Sequence, residues 1–188
     1  LKAALKIVRE VGHALAYAHK RNMIHRDVKP ANVMVDASGR VILTDFGIAK
    51  ILTGPSYTAS GATIGTPAYM APEQGLGQAG DHRSDIYSLG AMLYQLATGE
   101  LAFDADTPMA VMLKHINEEL PPPRSVNPDL PEGVERIIVK SMAKSPGDRY
   151  QSVDEMLADM EKVGAAARPA ASSPAPAPGA PTEFAAAP

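Results

Sequence analysis

The chain has 188 residues, 45% of them hydrophobic, and a formal net charge of −3, so a basic surface for nucleic acid is not indicated. It has no cysteine, which excludes a disulfide framework, a thiolate nucleophile and a thiolate metal site. The length suits one domain with a hydrophobic core. No apolar run reaches the roughly 18 residues needed to span a bilayer.

The first twenty residues predict an amphipathic helix over 1–20, because apolar side chains recur there at helical spacing. These side chains are Leu1, Leu5, Val8, Val11 and Leu15. His13, His19 and His25 follow one another at intervals of six. Six helical residues turn about 600°, so His13 and His19 point to different faces, and the series does not predict a metal site.

Two short apolar runs, Val33–Val35 and Val41–Leu43, flank a turn that ends in Gly39. Runs of this kind separated by a short loop predict a β-hairpin. A hairpin brings its two ends together. The polar residues before it and Asp45 after it are therefore expected to share one site.

That site would hold three oxygen-bearing side chains, Asp27, Asn32 and Asp45, together with Lys29. Mg²⁺ prefers oxygen ligands and often binds through one or two protein groups plus substrate phosphates. The set therefore favours phosphoryl transfer, with Asn32 and Asp45 as metal ligands, Lys29 as a charge on the phosphate and Asp27 as acceptor of a hydroxyl proton. The alternative is that the two aspartates only cap turns.

The rest of the chain reads as a loop followed by helices. Periodicity is lost from 48 to 64, which predicts a loop. A buried helix is expected over 86–96, where apolar residues dominate, and further helices over 108–120, 131–143 and 152–163. Before them, Gly75–Gly80 fits a G-x-G-x-x-G pattern, but no strand precedes it, so we interpret it as a surface loop.

Four ordered motifs carry a family resemblance. His25–Asn32 resembles the catalytic loop of eukaryotic-like protein kinases, and Asp45–Gly47 matches their metal-binding motif. Gly65–Glu73 is similar to the end of their activation segment, and Arg83–Gly90 to the start of their central helix. A lysine two residues after the aspartate is the form of this catalytic loop found in serine/threonine kinases. The sequence as a whole is most similar to bacterial serine/threonine kinases.

The resemblance implies a mainly α fold, the C-terminal lobe of a protein kinase with a short catalytic-site β-hairpin, over residues 1–163. Residues 164–188 are rich in Ala and Pro and are expected to form a disordered linker or tail. The N-terminal β lobe that binds ATP is not found in this sequence. The chain is therefore expected to be a fragment.

The implied activity is transfer of the ATP γ-phosphate to serine or threonine hydroxyls of protein substrates, with Mg²⁺ or alternatively Mn²⁺. The implied location is the cytoplasm, or the cytoplasmic face of the membrane in a longer, tethered parent chain, and a kinase dimer is a candidate assembly. Without the N-terminal lobe these residues alone should be nearly inactive. The alternative function is a non-catalytic lobe that acts as a binding or regulatory module.

The resemblance also implies supporting contacts. His25 is expected to pack beneath Phe46, next to Gly47, as part of an internal apolar column. Asp85 should hold the catalytic loop, and the alternative is an ordinary capping carboxylate.

A buried ion pair between Glu73 and Arg149 is implied as a clamp on the activation segment. The alternative for Arg149 is an exposed arginine beside a helix. The two readings differ in energy, because removing one member of a buried pair costs about 3–5 kcal/mol and an exposed pair contributes little.

In the segment between the motifs, the resemblance implies phosphorylation. A phosphate there would carry a charge near −2 and could pair with Arg26 and order the loop. The candidate phosphorylation sites are Thr58, Ser60 and Thr63. Thr66 is expected to hydrogen-bond Asp27 and Lys29 and to help select the acceptor hydroxyl; the alternative is a plain loop hydroxyl.

Overall fold

The computed structural model of the protein describes residues 1–46 and 67–166, with side chains through Val163. Within these residues the fold is mainly helical with one two-stranded hairpin, which confirms the predicted fold class. The strands are β1 (Val33–Val35) and β2 (Val41–Leu43). The helices are α1 (Lys2–His19), α2 (Pro72–Gly75), α3 (His82–Thr98), α4 (Pro108–Asn117), α5 (Pro123–Val126), α6 (Glu132–Ser141) and α7 (Val153–Ala166).

Helix α1 is amphipathic, as its sequence predicts, and forms one wall of the core. The helical repeat places Val8, Val11 and Leu15 on one face, and all three are inaccessible to solvent. Gly12 is also buried, and a Cβ there would stand 2.9 Å from the Leu157 side chain of α7. The missing side chain lets α1 and α7 pack closely.

Helix α3 is the central and most buried helix, as predicted. Asp81 caps its start by accepting a hydrogen bond from the backbone N–H of Arg83 at 2.8 Å. Gly99 ends it with a φ of +85°, a conformation that glycine adopts without steric cost. Gly90 lies directly on α6, where a Cβ would stand 2.6 Å from the Cβ of Ser141. Helix α3 therefore packs tightly against α6 as well as α1.

The predicted hairpin is present. Val33 pairs with Leu43 and Val35 with Val41 in antiparallel register. At the turn, one carboxylate oxygen of Asp36 accepts two backbone N–H hydrogen bonds, as aspartate in turns commonly does. Lys6 of α1 donates to the carbonyl of Gly39 at 3.0 Å. The hairpin is thus fixed against the first helix.

Helix boundaries differ from the prediction in several places. Helix α4 ends at Asn117 rather than Leu120, and Glu118 is already extended. Leu120 precedes Pro121, and the residue before a proline is disfavoured in a helix. Helix α7 continues to Ala166, past the predicted end at Val163. Helices α2 and α5 were not predicted; each has four residues and begins with a proline, whose φ suits a first helical position.

Several predicted features lie outside the described residues. They include the loop over 48–64 and the tail beyond residue 166. Five predicted site residues are also outside: Gly47, Thr58, Ser60, Thr63 and Thr66. Their roles stay predictions.

Candidate functional site

The loop after α1 is held by one buried carboxylate. Asp85, in the first turn of α3, is fully buried and accepts hydrogen bonds from the backbone N–H groups of His25 at 2.8 Å and Arg26 at 2.7 Å. Arg26 has a φ of +63°, which is unfavourable for a residue with a side chain. The two hydrogen bonds stabilise this turn of the loop. Asp85 does not cap α3, because Asp81 does.

His19, the last residue of α1, gives Asp85 a third hydrogen bond. Its Nε2 donates to the same carboxylate at 2.8 Å, and its ring meets the edge of His82 at 5.6 Å. Sequence reasoning considered His19 only as a metal ligand and missed this contact. The contact arises from the packing of α1 on α3, for which no local signal exists in the sequence.

His25 links the loop to the far end of the hairpin. Its Nε2 donates to the carbonyl of Thr44 at 2.9 Å, and its Nδ1 accepts from the backbone N–H of Asp27 at 3.3 Å. The ring is fully buried and lies 4.6 Å from the ring of Phe46. The packing of His25 on Phe46 is the one that the resemblance implies.

The predicted polar residues before the hairpin do meet. The Nζ of Lys29 lies 2.9 Å from Oδ2 of Asp27. The Nδ2 of Asn32 donates to the backbone carbonyl of Asp27 at 2.8 Å and to Oδ2 at 3.2 Å. The Asp27 carboxylate is thus held by a cation and by an amide, in a fixed orientation relative to both.

The hairpin brings its far end back to this cluster. The backbone N–H of Thr44 donates to the carbonyl of Asn32 at 2.9 Å, so the residue that follows, Asp45, lies beside the start of β1. Asp45 is exposed and has a φ of +58°. Left-handed backbone at a residue other than glycine is uncommon and occurs often at functional sites. Arg26 and Asp45 both adopt it here.

The donor set suits a hard cation that also binds substrate oxygens. The Nδ2 of Asn32 is occupied by Asp27, which leaves Oδ1 for a cation. Asp45 adds an exposed carboxylate at the neighbouring chain end. Within 1–46 and 67–166, no group of three or more His, Cys, Asp or Glu side chains is placed to hold a metal ion. Two protein oxygens would leave most of the shell of a hard cation to water and phosphate, which is the usual arrangement for Mg²⁺.

A buried ion pair joins α2 to the segment before α7. The guanidinium of Arg149 bonds both carboxylate oxygens of Glu73 at 2.8 Å. Its remaining N–H groups donate to the carbonyls of Ala143, Lys144 and Arg83. All five donors of the arginine are therefore used, which is the condition under which a buried guanidinium is tolerated.

The Glu73 carboxylate is charged despite its burial. Burial raises its pKa, but the hydrogen bonds from Arg149 and from the Ser84 hydroxyl, at 2.6 Å, together hold that pKa below its usual value. Arg149 is 2% exposed, so the exposed alternative considered for this arginine does not describe the structure.

Two further contacts at this site have no counterpart in the sequence analysis. The Gln74 side chain of α2 donates to the carbonyl of Arg26 at 3.2 Å. The Tyr69 hydroxyl donates to Oε1 of Gln95 at 2.6 Å, and burial raises the pKa of Tyr69. Both contacts tie the 67–75 stretch to the lobe. Glutamine and tyrosine occur in too many settings for their sequence positions to indicate them.

The chain belongs to the protein kinase family. A family model described as "Protein kinase domain" matches residues 2–162. Among the helices of the described residues, none has both the length and the hydropathy required to cross a membrane.

Among curated proteins, the chain is similar to bacterial serine/threonine-protein kinases, which confirms the predicted resemblance. It is 43% identical over 164 residues to PknB of Mycolicibacterium smegmatis, an alignment covering 86% of the chain and 26% of the relative. It is 39% identical over 160 residues to PrkC of Bacillus subtilis, covering 85% of the chain and 25% of the relative. The chain thus spans about a quarter of the length of these relatives.

Proposed function

We propose that this chain supplies the catalytic loop and acceptor side of a serine/threonine protein kinase, which moves the γ-phosphate of ATP to a protein hydroxyl. The observation that carries the proposal is the arrangement around Asp27, whose Oδ2 lies 2.9 Å from Lys29 and 3.2 Å from Asn32. Phosphoryl transfer depends chiefly on positioning and on neutralising charge, and this arrangement provides both.

In this proposal Asp27 orients the acceptor hydroxyl and takes its proton. Lys29 holds the carboxylate in place and contributes positive charge where the transferred phosphoryl group becomes more negative. Thr66, whose position the family motif implies, would bind Asp27 and Lys29 and favour serine or threonine as the acceptor.

We assign metal binding to Asn32 Oδ1 and the Asp45 carboxylate. The ion we favour is Mg²⁺, with Mn²⁺ as the alternative, since both are hard cations that accept oxygen ligands. When bound, the ion would neutralise the phosphates of ATP. Gly47 and Phe46 would set the backbone that carries Asp45, with Phe46 packed on His25.

Regulation is proposed through the segment between the two described ranges. Phosphate on a hydroxyl of that segment would pair with Arg26, whose backbone is fixed by Asp85. The candidate hydroxyls are Thr58, Ser60 and Thr63. We further propose that residues 1–163 form the lobe and that 164–188 form a linker, of which the first three residues continue α7. We also propose that the protein acts at the cytoplasmic side of the cell and can dimerise.

The test is phosphate transfer from radiolabelled ATP by the full-length protein. Asp27→Asn should abolish transfer, because the amide has no proton-accepting carboxylate, while folding is retained. The matched control is Asp36→Asn, which alters an aspartate of the hairpin turn and should leave transfer within about twofold. Equal activity of the Asp27 variant and the control would overturn the proposal.

A further inference from the structure

Helix α4 carries a buried histidine that the proposed chemistry does not use. His115 is 1% exposed, and its Nδ1 lies 2.8 Å from the hydroxyl of Tyr87 on α3. Its Nε2 is the one buried side-chain nitrogen or oxygen of the described residues that has no hydrogen-bond partner. A buried polar atom without a partner costs free energy and needs an explanation.

The surroundings of the ring indicate what Nε2 faces. Phe103 packs against the imidazole edge at 4.8 Å, and Tyr87 at 5.7 Å. Helix α4 packs on the short turn Pro67–Tyr69. The backbone of Ala68 in this turn lies close enough to favour the protonated ring, although it makes no well-formed hydrogen bond. Since Nδ1 is occupied by Tyr87, the backbone of Ala68 is the neighbouring polar group available to Nε2.

The tautomer follows from the partners. Burial, reinforced by Lys144, lowers the pKa of His115 to about 4, so the ring is neutral and carries one N–H. Among the described residues the Tyr87 hydroxyl has no acceptor other than Nδ1. Tyr87 therefore donates to Nδ1, which places the hydrogen on Nε2. The ring presents a donor to the Ala68 carbonyl.

We propose that His115 is a positioning residue for the protein acceptor. Its Nε2–H engages the carbonyl of Ala68 when an acceptor occupies the site, and this holds the turn Pro67–Tyr69, which directly follows Thr66. Tyr87 acts by fixing the tautomer. This inference rests on the proposed function and adds to it one residue, 49 positions after Thr66, that holds the turn beside the acceptor hydroxyl in place.

The kinetic test uses the full-length kinase with dephosphorylated casein as acceptor. His115→Leu should raise KM for casein about three- to tenfold, which is the usual effect of losing one hydrogen bond. The kcat and the KM for ATP should change less than twofold. His115→Gln, which keeps an N–H donor, should recover most of the loss, and Tyr87→Phe should fall between. A purely structural role predicts no such division between the constants and no recovery by glutamine.

The matched control is Tyr150→Phe, which removes a different tyrosine hydrogen bond, to Asp159 at 3.0 Å. It should leave KM for casein unchanged. A KM for casein in His115→Leu equal to the wild-type value would overturn the inference and leave the proposed function intact. Absence of casein phosphorylation and autophosphorylation in the wild type would instead overturn the proposed function.

A measurement independent of activity examines the same geometry. ¹⁵N NMR of the imidazole should show Nε2 protonated and Nδ1 unprotonated at pH 7. In the presence of saturating casein, amide hydrogen exchange at 68–70 should be faster in His115→Leu than in Tyr150→Phe. An Nδ1–H tautomer, or exchange at 68–70 that the leucine leaves unchanged, would contradict the assignment whatever the activity.

Discussion

Two buried carboxylates, Asp85 and Glu73, hold the site by different means. Asp85 accepts hydrogen bonds from two backbone N–H groups and from His19, and so fixes the conformation of one loop. Glu73 pairs with Arg149, 76 residues away, and so joins two distant segments. The first is a local constraint on catalytic geometry, and the second is a long-range contribution to the stability of the lobe.

The comparison predicts different losses when each is broken. Loss of a member of the Glu73–Arg149 pair leaves a buried charge without its partner, which is costly for folding. Loss of the Asp85 charge leaves a loop backbone in an unfavourable conformation, with most of the fold unaffected. Breaking the Glu73–Arg149 pair should therefore reduce stability more than activity, and removing the Asp85 charge should reduce activity more than stability.

The largest expected effect on stability is that of Arg149→Ala. It should lower the free energy of unfolding by about 3–5 kcal/mol, because Glu73 stays buried and uncompensated. Urea denaturation of the protein measures it. The control is Arg83→Ala, which removes a part-exposed pair with Asp81 and should cost about 0–1 kcal/mol. Similar losses of unfolding free energy in the two arginine variants would contradict the special contribution of the buried Glu73–Arg149 pair to stability.

The next effect is a pH dependence from His115. Its pKa is about 4 in the fold against 6.5 ordinarily, so between these values the unfolded chain binds a proton that the folded chain does not. Stability should therefore fall as pH drops from about 6.5 to 4, by up to about 3 kcal/mol. Lys144, whose own pKa burial lowers, disfavours the charged ring, and Tyr87 stays neutral throughout this range.

Denaturation curves across this range, for wild type and His115→Gln, measure that dependence. The glutamine does not titrate, so the variant should show a shallower loss of stability on acidification. Parallel curves for the two proteins would mean that the buried ring does not contribute the expected linkage.

Asp85→Asn should cause the third-largest loss of stability but a large loss of activity. The amide keeps the shape of the carboxylate, yet one of the three donors that it meets loses its acceptor, at about 1–3 kcal/mol. Because the loop holding Asp27 moves, phosphate transfer should drop about tenfold or more per folded molecule. The partner experiment is Glu73→Gln, which should lose more stability than activity. A reversed order would contradict the local and long-range roles.

The smallest effect on stability is expected for the exposed contact between α1 and the hairpin turn. Lys6→Met removes the hydrogen bond to Gly39 at the hairpin turn. It should change the free energy of unfolding by less than about 0.5 kcal/mol, as most surface substitutions do. A loss above about 1 kcal/mol in thermal or urea unfolding would show that the hairpin depends on this contact.

Features with local causes could be predicted from the sequence. Helices α1 and α3 follow from apolar periodicity, and the hairpin from two short apolar runs around a turn. The hairpin in turn predicted that the chain end carrying Asp45 would return to the polar residues before the hairpin, and the hydrogen bond from the Thr44 N–H to the Asn32 carbonyl places it there. Helices α2 and α5 were missed because four residues carry no periodic signal.

Contacts between distant elements could not be derived in this way. His19 meets Asp85, and His115 meets Tyr87, only because helices pack, and a lone histidine gives no sign of its partner. The Glu73–Arg149 pair was expected through family resemblance rather than through any pattern in the residues. Tertiary packing decides these contacts, and the sequence alone specifies only the elements that pack.

The most direct test of the central claim is a crystal structure of the full-length protein with Mn²⁺ and a non-hydrolysable ATP analogue, in which anomalous scattering locates the ion. The account predicts one Mn²⁺ bound by Asn32 Oδ1 and the Asp45 carboxylate, with phosphate oxygens completing the shell. Lys29 should lie beside the terminal phosphate and Asp27. An ion held without Asn32 and Asp45, with the Asp45 carboxylate directed away from Asn32, would contradict it.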